Sequence, residues 1–480
     1  MRTRRSLAAI VLLWFTVAFG LSARPGVGEE VADFFNVVAP AGADPWVCRH
    51  DGWYYATVTT GRNVVLIRSK QLSTLGAGDR RVVWDPRGGS PIARNLWAPE
   101  LHRLGAAWYI YVAADDGDNA NHRMYVLENK SADPFEGSFV DKGRIADPSH
   151  DRWAIDGTVL QLGAQLYFVW SGWEGAVNDR QNLYLAPMRN PWTLAGPRVE
   201  ISRPTHPWET RGAPPAVNEG PQVLVRDRRV FLFYSASGSW TDDYCLGMLS
   251  ASVEANLLEP ASWTKHDKPV LASVAGVHGP GHGSFVKSPD DREDWLIYHA
   301  ARHQGAGWTR LIRAQRLTWT TDGFPRLGLP AAPDRPIPLP GGEPKRQRFQ
   351  AETAALEGGA RPVLRPNASQ GASVLVAEGP DSTLAFEVHA KKAGTYIFTI
   401  RYLNRSERHA PAVQSLFVND DPPVLVSYPG TGPGSDWSNS FVTGRLQRGR
   451  NRIRLGGKER QVEVDCVDVV PEDGDQSARD

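Results

Sequence analysis

The chain is 480 residues long, with 54 Lys plus Arg against 53 Asp plus Glu, 17 Trp and only 3 Cys. A net charge of +1 gives no broad field to draw nucleic acid or anionic lipid, so neither is expected as a partner. Three cysteines exclude a disulfide-built fold and a four-cysteine zinc site, and the length allows two or three domains.

The first six residues, MRTRRS, are basic, and Leu7–Gly20 is an uncharged apolar run of fourteen. That pattern suits a signal peptide over residues 1–23 and is short for a membrane span. The mature protein is expected to be secreted or periplasmic, off the membrane after cleavage, and monomeric.

Five aromatic segments then recur: Trp53–Val58, Trp108–Ala113, Leu166–Ser171, Val230–Ser235 and Asp294–His299. Each is rich in aromatic or β-branched residues and flanked by turn residues, which are strand signals. Their starts lie 55 to 64 residues apart, leaving room for about three further short strands per repeat. That is the arithmetic of a four-stranded propeller blade. The predicted fold is all-β, with a five-bladed β-propeller over residues 31–330.

Upstream of each aromatic strand stands one polar residue framed by Gly, Pro or Trp: Asp44, Glu100, Asp156, Glu219 and His282. As isolated dipeptides, Asp-Pro and Asp-Gly are turn residues. In phase with five strands, they would line one axial pocket, where desolvating four carboxylates is costly unless they have a task. Glycoside hydrolysis needs one carboxylic acid to protonate the leaving oxygen and a carboxylate to activate water or attack the sugar. A third carboxylate beside the acid raises its pKa by like-charge repulsion. Trp46, Trp97, Trp170 and Trp173 are candidate stacking faces for sugar rings.

The motifs ADPW, WAPE, IDGT, NEGP and GPGH occur in that order, and the region from about 40 to 330 resembles glycoside hydrolase family 43. The contexts RMYVLENKSADPFEGSF and NLYLAPMRNPWTLAGP are similar to its α-L-arabinofuranosidase branch. The resemblance implies an inverting five-bladed propeller with Asp44 as general base, Asp156 as pKa modulator and orienter, and Glu219 as general acid. It implies sugar contacts from Trp97, Trp46, Trp173 and Arg310, with Arg313 competing for the last role. It places His282 at the channel axis, where a calcium or other ion would be shared with Gln315, and needs no cofactor for the chemistry. The implied substrate is the terminal arabinofuranosyl residue of plant-type polysaccharides or oligosaccharides. A β-xylosidase or an exo-galactofuranosidase could use the same acids. A catalytically silent glycan-binding propeller would require the loss of one acid, and all three are present.

Leu327–Pro344 is rich in Pro and Gly, so residues 331–348 are expected to form a stiff linker or a strap. Over residues 349–471 the pattern changes to short alternating strands, predicting a jelly-roll-like β-sandwich. The segments FQAETA, AGTYIFTIRY, RGRNRIRL and VEVDCVDVV resemble carbohydrate-binding modules of families 6 and 35. That resemblance implies a structural calcium held by an early acidic pair and a late Asp. Here the pair reads Gln350 and Glu352, with Asp465 late, so one acid is replaced by an amide. Trp437, in a polar loop, is the candidate sugar-stacking residue of the module, and residues 472–480 form an acidic tail. Such a module is expected to be separable near Pro344, leaving an active propeller.

Overall fold

The computed structural model describes residues 28–473, apart from 87–91, 93, 148, 406–410 and 435–436. The signal segment and the end of the acidic tail fall outside these residues. The regular structure of the described residues is strand with a few short 3-10 turns, and among the described residues no helix is long and apolar enough to cross a membrane.

Five antiparallel sheets follow one another in chain order, the third and fourth joined by a short parallel pairing of Arg180 and Gln181 with Ala216 and Val217. Their innermost strands are Trp46–His50, Arg94–Leu104, Ala154–Leu162, Ala216–Arg226 and His278–Lys287. Each pairs with the aromatic segment after it, and that segment pairs with a third strand. Each innermost strand lies against that of the next sheet, and the fifth lies against the first. The aromatic segments are second strands, covered on both faces by neighbouring sheets, which is why they read as unbroken apolar runs rather than as alternation. Tyr54, Tyr111, Tyr234 and Tyr298 are fully buried there.

The innermost strands share a kink, which lies within the strand in the second to fifth sheets and two residues ahead of it in the first. Asp44, Ala98, Asp156, Gly220 and His282 have φ of 54°, 42°, 56°, 54° and 38°. In the second to fifth sheets the pairing register slips beside the kink, as at a β-bulge. Asp and Gly tolerate this left-handed backbone better than most residues. The turn-like dipeptides are therefore both turn residues and pocket residues, because the kink aims side chains inward.

The C-terminal region forms two sheets around one core that includes Phe349, Phe386, Phe398, Tyr402 and Leu455. The N-terminal strand Glu29–Val31 joins this sandwich by pairing with Arg346–Gln350. Of the linker or strap expected for the Pro-rich stretch, the pairing of Pro336–Pro338 with Asp33–Phe35 has the form of a strap. The two halves are bonded across a broad seam. Asn439 donates to the carbonyls of Phe35 (2.7 Å) and Val37 (3.0 Å). Arg348 pairs with Asp33 at 2.8 Å and Asp468 at 2.7 Å, and the Arg401 guanidinium lies 3.9 Å over the Phe35 ring.

Candidate active site

The kinks bring Asp44, Asp156 and Glu219 around His282. His282 Nδ1 lies 3.4 Å from Asp44 Oδ1 and 3.9 Å from Asp156 Oδ2. Asp44 Oδ2 accepts from the Thr59 hydroxyl at 2.6 Å, and Oδ1 lies 3.2 Å from Arg310 Nη1. The Asp44 amide N–H donates to His299 Nδ1 at 3.0 Å. Asp156 Oδ2 accepts the Gly220 N–H at 3.0 Å, and Glu219 Oε1 accepts the Tyr244 hydroxyl at 2.7 Å. Glu100 lies deeper, taking a Gln222 amide N–H at 2.5 Å and facing His102 Nε2 at 2.8 Å.

These surroundings split the carboxyls into two kinds. Burial would raise Asp44, but His282, the hydrogen bond with His299, and Arg310 outweigh it and hold Asp44 well below the usual carboxylate range. Burial pushes Glu219 up to about 7, against the Tyr244 hydrogen bond and Arg310 and with help from the Asp44 charge. Burial raises Asp156 as well, followed by repulsion from Glu219 and Asp44. Asp156 and Glu219 are thus a buried pair that resists double ionisation, and the pair retains a proton near neutrality. Burial lowers both imidazoles, His299 to about 3, so Arg310 supplies the fixed positive charge beside Asp44.

Several expected sites fall elsewhere. Arg310 reaches the pocket, whereas Arg313 donates to the Ala331 carbonyl at 2.6 Å. Gln315 also faces the strap: its amide donates to Leu327 O and accepts from Ala331 N. It therefore shares no shell with His282, because it sits further out on a third strand. In the sandwich, Asp465 is engaged by the Arg401 guanidinium and by Ser369, so a cation of the chain itself stands where Glu352 and Asp465 were expected to hold calcium. Among the described residues no group of three or more His, Cys, Asp or Glu could hold a metal ion. Trp437 is 3% exposed and packs with Ala368 and Leu403 beneath Arg401, so it offers no face to a sugar.

The three propeller tryptophans differ in setting. Trp97 is half-buried and stacks on His122 at 4.0 Å. Trp46 donates to the Leu101 carbonyl at 2.6 Å, and Trp173 is buried against Trp153 with rings 4.8 Å apart. Sequence reasoning missed Thr59, Tyr244 and His299. His299 ends the aromatic segment DWLIYH, so its position was visible, but its approach to Asp44 spans 255 residues of chain.

A buried carboxyl pair that retains a proton, beside a carboxylate held ionised, is the equipment of an acid–base hydrolase acting on an acetal. Residues 35–325 match the family model for glycosyl hydrolases family 43, and the chain belongs to that family of glycoside hydrolases. It is 39% identical over 339 residues to an extracellular exo-α-(1→5)-L-arabinofuranosidase of Streptomyces avermitilis, an alignment covering 68% of this chain and 69% of that one. It is similar to the crystal structure of an α-L-arabinofuranosidase from Lactobacillus brevis, with 36% identity, a TM-score of 0.57, and coverage of 61% of this chain and 95% of that one. An exo-β-1,3-galactanase structure from Phanerochaete chrysosporium shares the fold at 15% identity and a TM-score of 0.55, covering 92% of this chain and all, 100%, of the other.

Proposed function

We propose that this protein removes terminal α-L-arabinofuranosyl residues from arabinose-containing polysaccharides or oligosaccharides outside the cell, with inversion at the anomeric carbon, on a five-bladed propeller. The observation that carries the chemistry is the opposite bias of two buried carboxyls, Asp44 held ionised and Glu219 raised to about 7. Asp44 takes a proton from water as that water attacks the anomeric carbon. Glu219 gives its proton to the departing glycosidic oxygen. Asp156 keeps that proton on Glu219 by repulsion, while the Gly220 N–H fixes its orientation. Arg310 aligns Asp44 and lies within reach of sugar hydroxyls. The substrate assignment draws on the named activities of the relatives at 36–39% identity.

The sandwich acts in this reading as a brace for the catalytic half, not as an independent sugar-binding module, because Trp437 is buried and the seam is bonded throughout. The calcium expected beside His282 is not carried into it, since Gln315 faces the strap.

Purified protein on 4-nitrophenyl α-L-arabinofuranoside, β-D-xylopyranoside and β-D-galactofuranoside is expected to turn over the first fastest. A dominant xyloside or galactofuranoside activity would replace the sugar assignment, and no turnover at all would favour a silent glycan-binding scaffold. Proton NMR of the first-formed sugar should show inverted configuration.

A further inference from the structure

Two tryptophans that the acid–base chemistry does not use stand at the rim above it. Trp308 is 68% and Trp240 37% exposed, and among the described residues they are the only exposed tryptophans. Their rings meet edge to face, 6.4 Å between centroids. They sit on the loops that follow Arg229–Ala236 and Asp294–Ala301. Ala236 pairs with Asn218 and Ala301 with His278, so both loops lie at the end of the sheets that carries Glu219.

The loops are fixed to one another and to the acids. The Gly305 N–H donates to Asp242 at 3.0 Å, Trp308 Nε1 to the Ser239 hydroxyl at 3.2 Å, and Arg310 Nη2 to the Ser239 carbonyl at 2.9 Å. The same guanidinium reaches Asp44 through Nη1. Tyr244, at the end of the Trp240 loop, donates to Glu219. The sandwich closes against the Trp308 loop from behind, where a Cβ on Gly432 would fall 2.6 Å from the His303 ring.

Glu219 protonates the leaving oxygen, so the sugars beyond the cleaved bond must exit past Tyr244 and its loop. Sugar rings have apolar C–H faces and polar edges, which suits exposed indole faces that are held rigidly beside the pocket. We infer that Trp240 and Trp308 form an acceptor platform for the second and third sugars of an arabino-oligosaccharide, so that chain length sets affinity there. This rests on the hydrolase reading above.

The test compares kinetics on 4-nitrophenyl α-L-arabinofuranoside with those on α-1,5-linked arabinotriose. Trp308→Ala is expected to raise KM for the trisaccharide about tenfold, with kcat changing far less and the aryl glycoside KM rising much less. Trp308→Phe, which keeps a ring, should recover most of the loss, and Trp240→Ala should move the same ratio in the same direction. Equal KM changes on both substrates, or none on the trisaccharide, would overturn the platform while leaving the hydrolase intact. Failure of the wild type to cleave the aryl glycoside would instead overturn the arabinofuranosidase reading and the platform with it.

Discussion

At the scale of single residues, the pocket sets one proton against one charge. Glu219 must be protonated to act, so activity is expected to fall as pH rises through about 7. Asp156→Asn removes the like charge beside Glu219. The acid then ionises at lower pH, and the alkaline limb of kcat/KM should move down by roughly one pH unit. Tyr244→Phe removes the hydroxyl that favours ionised Glu219, so the same limb should move up, by roughly half a unit. Opposite shifts in the two variants are a strict check, since a general loss of fold would move neither limb. Glu219→Gln should cost far more on natural linkages than on activated aryl glycosides, whose leaving group departs with little protonation. Asp44→Asn should abolish turnover on both, because no water is activated.

At the scale of elements, the recurrent device is the left-handed kink at each innermost strand. At Gly220 the backbone has φ of 54°, and an added Cβ would meet His282 Nδ1 at 2.9 Å. Gly220→Ala is therefore expected to cost about 1–2 kcal/mol of stability from backbone handedness and to displace His282 from Asp44. Denaturant unfolding should read the first effect, and a fall in kcat of about tenfold or more the second. The fourth innermost strand is further anchored by buried Glu209, which accepts from Asn218, Tyr234 and Lys265. The proposed proton donor Glu219 sits on that strand, next to Asn218.

For the whole molecule, the seam decides whether two cores behave as two domains. Cutting after Pro344 would remove Arg346, Arg348 and Asn439, leave the buried carboxylate of Glu343 without its arginine partner, and take the Asn439 amide from the carbonyl of Val37 and from that of Phe35, which would keep only the Val37 N–H. Buried polar groups that lose partners cost about 1–3 kcal/mol each. The fragment ending at Pro344 is expected to be insoluble or inactive, and calorimetry of the intact chain should show one cooperative transition. A soluble, active fragment would show that the seam is dispensable.

What the sequence determined by itself was what local chemistry and repetition encode. Aromatic runs at 55 to 64 residue spacing mark second strands, and one polar residue ahead of each run stands at the kink or within two residues of it. Asp44 and Asp156 could be singled out because the turn residue and the proposed catalytic residue coincide, and Glu219 because the turn residue Gly220 follows it directly. What only the tertiary structure decided depends on contacts between segments far apart in the chain. Trp437 and Asp465 looked available for sugar and calcium, but packing buries the first and Arg401, 64 residues before Asp465, occupies the second. Gln315 and Arg310 lie on one strand five residues apart, yet Gln315 turns to the strap and Arg310 to the base, a difference set by where the strand ends and what crosses it. By composition the Pro-rich stretch 331–348 reads as either a stiff linker or a strap. It becomes a clamp because Asp33–Phe35, some 300 residues upstream, pairs with it, and composition carries no record of a partner strand.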